Sequence, residues 1–183
     1  MDPTKSAANV YFYNLPSQVH VASANTVHWD LFNADSALIV RVLSVKQIPD
    51  IVTAVTGVAF AWTFDRTTAV GTGGSAQTAI LPDLSQSALS ANITCRSKPT
   101  AGATAGVTLA SYSIHSEETN TGTLQIAAMG GYELVRPSAT PDGLNPCGIL
   151  LRTNQGLRCV QVTNSAAGNT GWLITFAVET WRF

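Results

Sequence analysis

Trp172-Leu173-Ile174-Thr175-Phe176-Ala177-Val178-Glu179 decides the fold class. Successive side chains of a strand point to opposite faces, so Trp172, Ile174, Phe176 and Val178 fall on one side and Thr175, Ala177 and Glu179 on the other. One side needs a core and the other tolerates water. Upstream, Leu157-Arg158-Cys159-Val160-Gln161-Val162 leads into the loop 164–171, whose Asn and Gly residues tolerate positive φ. This reading expects a hairpin that closes a sheet built by the rest of the chain. Past Glu179, the same alternation puts Trp181 and Phe183 on the Thr175 face, where clustered large apolar groups mark an interface. The competing expectation is a bulge near Glu179 that folds both rings into the core.

Working outward, Gly57 to Arg66 gives the cleanest core strand, with Val58, Phe60, Trp62 and Phe64 opposed by Ala59, Ala61, Thr63 and Asp65. Thr26 to Phe32 alternates Val27, Trp29 and Leu31 against His28 and Asp30. From Leu38 to Val45 both faces are apolar, Leu38, Val40 and Val42 on one and Ile39, Leu43 and Val45 on the other. A strand of that kind wants cover on both sides, from an extra segment or another subunit. Shorter runs over 92–97, 109–116, 122–128, 132–136 and 148–152 bring the expected total to about nine or ten strands. One or two helical turns are expected over 84–91, and 98–106 reads as a surface excursion. The pattern is all-β: a single β-sandwich, jelly-roll-like, over residues 16–183, preceded by a short N-terminal arm over 1–15. Val10-Tyr11-Phe12-Tyr13 shows no alternation, so Tyr11, Phe12 and Tyr13 join Trp181 and Phe183 as candidate subunit contacts.

Charged residues make up 11% of the chain and the formal net charge is -1, while 45% of residues are hydrophobic. Ordinary soluble domains carry about 25% charge. A surface so poor in charge repels its neighbours weakly and favours assembly, here a homo-oligomer. No cluster of Lys and Arg exists to neutralise phosphates, which argues against nucleic acid. Residues 1–9 have no apolar core and so do not read as a signal peptide, and no run of eighteen apolar residues suggests a membrane span. The expected place of synthesis is a cytoplasm, with the protein kept there or released by lysis.

The residues that carry chemistry are scattered. His20, His28 and His115 form no pair with metal-ligand spacing, so no metal or cofactor is expected. His28 and Asp30 share strand parity, but a second ligand pair is lacking, and a solvated face with a modest ion pair is the simpler reading. Ser116-Glu117-Glu118 after His115 has no nucleophile elbow or oxyanion signature, and a polar hairpin tip explains it. Gly71-Thr72-Gly73-Gly74 lacks the lysine of a phosphate loop and reads as a turn. Asn92-Ile93-Thr94 satisfies the glycosylation sequon, without a secretory context to use it. Cys95, Cys147 and Cys159 are odd in number and widely spaced, so free thiols are expected, with Cys159 buried and Cys147 the most reactive. No catalytic residue and no enzyme activity are expected.

The runs Gly57 to Gly74, Ile114 to Asn120 and Gly156 to Gly168 resemble small β-sandwich virion proteins of tailed bacteriophages, and most closely the decoration, or cement, proteins of the head. The resemblance covers residues 36–180 and implies a structural virion protein on the capsid surface. Such a protein binds a major capsid protein across capsomer joints, often as a trimer, and stabilises the shell. The alternative is a carbohydrate- or receptor-binding module of a head fibre or tail, which needs exposed aromatic platforms beside Asn, Asp and Gln.

Overall fold

The structure, a computed structural model, describes residues 9–20, 25–49, 58–100, 105–116, 148–164 and 168–180. Among these residues there are ten β-strands and no helix: β1 (Asn9–His20), β2 (Thr26–Asn33), β3 (Leu38–Pro49), β4 (Val58–Thr67), β5 (Ser75–Ala76), β6 (Ile93–Ser97), β7 (Ala105–Ser116), β8 (Ile149–Leu151), β9 (Gln155–Asn164) and β10 (Gly168–Thr180). They form a four-stranded sheet in the order β1-β10-β3-β8 and a six-stranded sheet in the order β5-β6-β2-β9-β4-β7. The protein is an all-β sandwich.

The pairing is nested. β1 runs antiparallel to β10, β2 to β9, β3 to β8 and β4 to β7, with successive nested pairs alternating between the sheets until β4 and β7 complete the six-stranded one. That is one long hairpin rolled up, the jelly-roll wrap. β5 and β6 are inserted between β4 and β7 and extend the larger sheet beyond β2.

The inner faces follow the alternation. On β10, Trp172, Ile174 and Phe176 lie between Leu15, Tyr13 and Tyr11 of β1 and Gln47, Val45 and Val42 of β3. The facing sheet supplies Trp29, Leu31, Trp62, Phe64, Ile93, Cys95, Leu157 and Cys159. The Trp172 ring meets Trp29, Trp62 and Phe64 edge-on, with centroids 6.2, 6.0 and 5.9 Å away. Such T-shaped contacts bring the positive ring edge to a negative face.

Several expectations are corrected. β9 and β10 are not a hairpin, because they belong to different sheets and the connection after Asn164 crosses between them. Residues 9–15 are not an arm either, since β1 runs through position 15 and pairs Asn9 with Val178 and Leu15 with Trp172. The doubly apolar β3 is resolved by a bulge. Thr175 faces Ser44 but Phe176 faces Val42, so Leu43 is an extra residue and parity inverts there. Val40, Val42, Val45 and Gln47 therefore share the inner face, all buried, and that strand does not by itself require a second subunit. Residues 84–91 make turns, a bend and irregular backbone instead of helix, and β7 begins at Ala105, inside the expected excursion. The strands expected over 122–128 and 132–136, the tip at 117–121 and Cys147 lie outside the described residues.

Candidate functional site

Two places on the surface concentrate what this fold has to offer a partner: the outer edge of β1 and the outer face of the six-stranded sheet.

At the β1 edge, a segment of the inserted region returns to close the sandwich. The Phe12 N–H donates to the Ile80 carbonyl at 3.0 Å and the Ile80 N–H to the Phe12 carbonyl at 2.8 Å. Gln86 Nε2 donates to the Val10 carbonyl at 2.9 Å and the Tyr11 hydroxyl to the Ser87 carbonyl at 2.9 Å. Between these anchors, Asp83 Oδ1 accepts from the Ser85 N–H at 2.8 Å and from the Ser85 hydroxyl at 2.7 Å. This Asx-type turn fixes its own backbone. The clamp protects a sheet edge that would otherwise invite pairing. It also holds apolar groups outward, with Ile80 49% and Leu84 98% exposed. Directly opposed residues share a face, so Ile80 stands beside the half-buried Phe12.

Of the candidate contacts, Phe12 lies half-buried on this edge, bridged to Ile80. Tyr11 and Tyr13 do not: both are buried in the chain's own core, stacked on Phe176 at 5.7 and 5.2 Å, and are corrected to core residues. Burial also pushes the Tyr13 hydroxyl above its ordinary range. Trp181 and Phe183 lie outside the described residues. Ile80 and Leu84 escaped the sequence reading because a three-residue apolar run has no period. The usable signal was Asp83-Leu84-Ser85, a turn that must expose its middle residue.

On the six-stranded sheet, the register lines up Arg96 of β6, Asp30 of β2, Arg158 of β9, Asp65 of β4 and Thr108 of β7. Charges alternate along this row. Arg158 donates through Nε and Nη2 to Asp65 Oδ2 at 3.2 and 3.1 Å, and the Thr108 hydroxyl donates to Asp65 Oδ1 at 2.8 Å. Asp30 is pushed up to about 6, chiefly by burial, against the opposing pull of the Gly71 N–H, Arg158 and Arg96.

His28 does not share a face with Asp30. A bulge between Val27 and Trp29 turns it inward, where Nε2 lies 3.0 Å from Gln161 Oε1 and the Trp172 indole N–H points at Nδ1 from 3.4 Å. The expected solvated pair is thus two buried groups on opposite sides of the sheet. Among the described residues no three His, Cys, Asp or Glu side chains gather as metal ligands. Cys95 and Cys159 are free and buried, and burial raises both thiols, which keeps them poor nucleophiles. The sheet's row is a structural brace.

No protein-family model, curated protein or solved structure matches this chain. Its functional reading therefore rests on its own geometry; apolar groups are exposed at Val107 and Leu109 of β7 as well, and the β1 edge is where Ile80 and Leu84 are held by a hydrogen-bonded clamp.

Proposed function

We propose that the protein is a non-enzymatic structural subunit of a bacteriophage virion, seated as a homotrimer on the capsid surface. There it stabilises the shell by binding a major capsid protein across capsomer joints. One observation carries this reading: Phe12, Ile80 and Leu84 are presented at a clamped strand edge, Leu84 almost wholly exposed, on a chain with only 11% charged residues. Pre-ordered apolar anchors bind well because little freedom is lost on docking. Low charge lets many such subunits pack beside one another. The jelly-roll wrap supports the reading by analogy at the level of fold, since this architecture recurs in viral capsid and lectin domains, although a fold does not by itself carry a function.

The test is to label the protein on purified virions in electron micrographs and to strip it from them. The reading expects label over the head and earlier bursting of stripped particles on heating or osmotic shock. Label on tail fibres, unchanged particle stability and binding to a host glycan would select the receptor-binding alternative.

A further inference from the structure

His28 of β2 and Trp172 of β10 belong to different sheets, so the contact between them crosses the core. The Trp172 indole Nε1 lies 3.4 Å from His28 Nδ1, with the ring planes 81° apart. On the other side of the imidazole, Nε2 lies 3.0 Å from Gln161 Oε1 of β9. All three side chains are buried. An indole nitrogen only donates, so Nδ1 must offer Trp172 a lone pair. The single ring proton of a neutral imidazole then sits on Nε2, where the Gln161 oxygen accepts it. The two partners together select one neutral tautomer.

We propose that His28 is an acid-sensitive fastener between the two sheets: as the neutral Nε2–H tautomer it bonds Trp172 across the core, and uptake of a proton at Nδ1 breaks that bond.

The chemistry follows from the donor set. A proton on Nδ1 turns the acceptor into a donor and sets two N–H groups against each other. It also places a cation on a side chain that is 2% exposed, and burial disfavours the charged form. The Gln161 contact exists in both states and does not oppose protonation. Among the described side chains, the inward neighbours around Trp172 are Trp29 of β2, Trp62 and Phe64 of β4, Leu15 of β1 and Gln47 of β3, none of which titrates. The thiols of Cys95 and Cys159 share that core and stay neutral, because burial raises both. Lys98, whose N–H donates to the His28 carbonyl at 2.9 Å, has an exposed side chain whose charge resists a second cation. Asp30, two residues along, favours a cation, but it points to the opposite side of the sheet and stands in register between Arg96 and Arg158.

The sign is fixed by these contacts. The fold favours the neutral ring, whereas in the unfolded chain a histidine titrates near about 6.5. The contribution of His28 to stability is therefore full above about 6.5 and is lost progressively as pH falls below it. Breaking the Trp172 bond runs in the same direction. Trp172 meets Trp29, Trp62 and Phe64 edge-on, so its release loosens the centre of the aromatic core. Asp30 contributes with the opposite sign over much of this range, so the test reads the two rings themselves.

The experiment follows the His28 ring nitrogens and the Trp172 indole N–H by nuclear magnetic resonance in the full chain, from about pH 7.5 down to about 4.5, which brackets the ordinary histidine range. At the upper end the ring should carry its proton on Nε2, with the indole N–H protected from exchange. On acidification the ring should titrate with a midpoint below about 6.5, and indole protection, corrected for intrinsic exchange, should fall at least roughly tenfold with it, the effect of one pKa unit. His28→Gln supplies an acceptor for Trp172 and a donor for Gln161 but cannot titrate, so the indole should stay protected throughout. Trp172→Phe removes the opposing N–H, so the His28 midpoint should move upward; this variant gives the second reading if His28→Gln does not fold. A proton found on Nδ1 at the upper end, a ring that never titrates, or indole protection that is unchanged as the ring titrates overturns the proposal. So does equal loss of protection in His28→Gln, or an unmoved midpoint in Trp172→Phe.

Discussion

On the four-stranded sheet the outward residues Asn14 and Lys46 are exposed, Thr175, Arg41 and Glu179 are half-buried, and Ala177 is buried. On the six-stranded sheet the outward residues Val27, Asp30, Phe32, Asp65, Thr67 and Val160 are buried, Arg96 and Arg158 are half-buried, and Thr108 on β7 is exposed. Each face carries an Arg–carboxylate pair, but in different surroundings. Arg41 Nε meets Glu179 at 2.8 Å with side chains 18% and 34% exposed, whereas Arg158 meets Asp65 at 3.1 Å with side chains 16% and 7% exposed. The difference teaches that a strand's outward parity does not make its residues wet. Charges on the drier face become structural and harder to remove.

The largest effect should come from breaking the drier pair. Asp65→Ala takes from Arg158 the oxygen that accepts both its Nε and Nη2 hydrogen bonds and should cost about 3 kcal/mol in urea unfolding, as for a buried ion pair that loses one partner. Replacing both residues by apolar ones of similar volume should recover most of that loss, because neither charge then remains to be desolvated. A smaller effect is expected at Gly156, where an added Cβ would lie 2.7 Å from the Leu31 carbonyl oxygen and 2.8 Å from Phe32 Cδ2. Gly156→Ala should cost about 1–3 kcal/mol by overpacking, read as a lowered midpoint with an unchanged m-value.

Asp30 sharpens the comparison through pH. With its carboxyl raised to about 6, its own contribution to stability should grow as pH falls from 7 to 5, by at most about 3 kcal/mol for a shift of roughly two pKa units. Asp30→Asn should remove that contribution, read in thermal melts across the same range. Asp35 runs the other way: hydrogen bonds from Ser90 and Ala37 hold its carboxyl below the ordinary value, so its contribution is lost only as pH falls below about 4. The smallest effect belongs to the wet pair. Glu179→Ala should cost less than about 1 kcal/mol and less still in high salt.

Much of this fold was legible in the chain, and the misses share physical causes. Trp62, Phe64, Trp172, Ile174 and Phe176 point inward as their alternation requires. Alternation says which way a side chain points but not whether the next strand lies beside it or across the core, so β9 and β10 looked like a hairpin. One extra residue inverts parity, and the bulges at His28 and Leu43 account for a false His28–Asp30 face and a false second apolar face on β3. Tyr11, Phe12 and Tyr13 are all aromatic, so composition concealed an alternation that only the pairing with β10 reveals. The 68–74 loop returns to the outer face at Asp30 through the Gly71 N–H, a contact that no local pattern encodes. The contact edge was missed because Ile80 and Leu84 gain their meaning from a long-range bridge to Phe12.

The most direct test of the proposed contact edge is retention on stripped virions by the double variant Ile80→Asp/Leu84→Asp. Both side chains are exposed, so its unfolding free energy should stay within about 0.5 kcal/mol of the wild type. Its affinity for the particles should fall by at least about 30-fold, the equivalent of 2 kcal/mol for lost apolar anchors. A folded double variant that binds as tightly as the wild type would contradict the assignment of this edge as the surface that holds the protein to its particle.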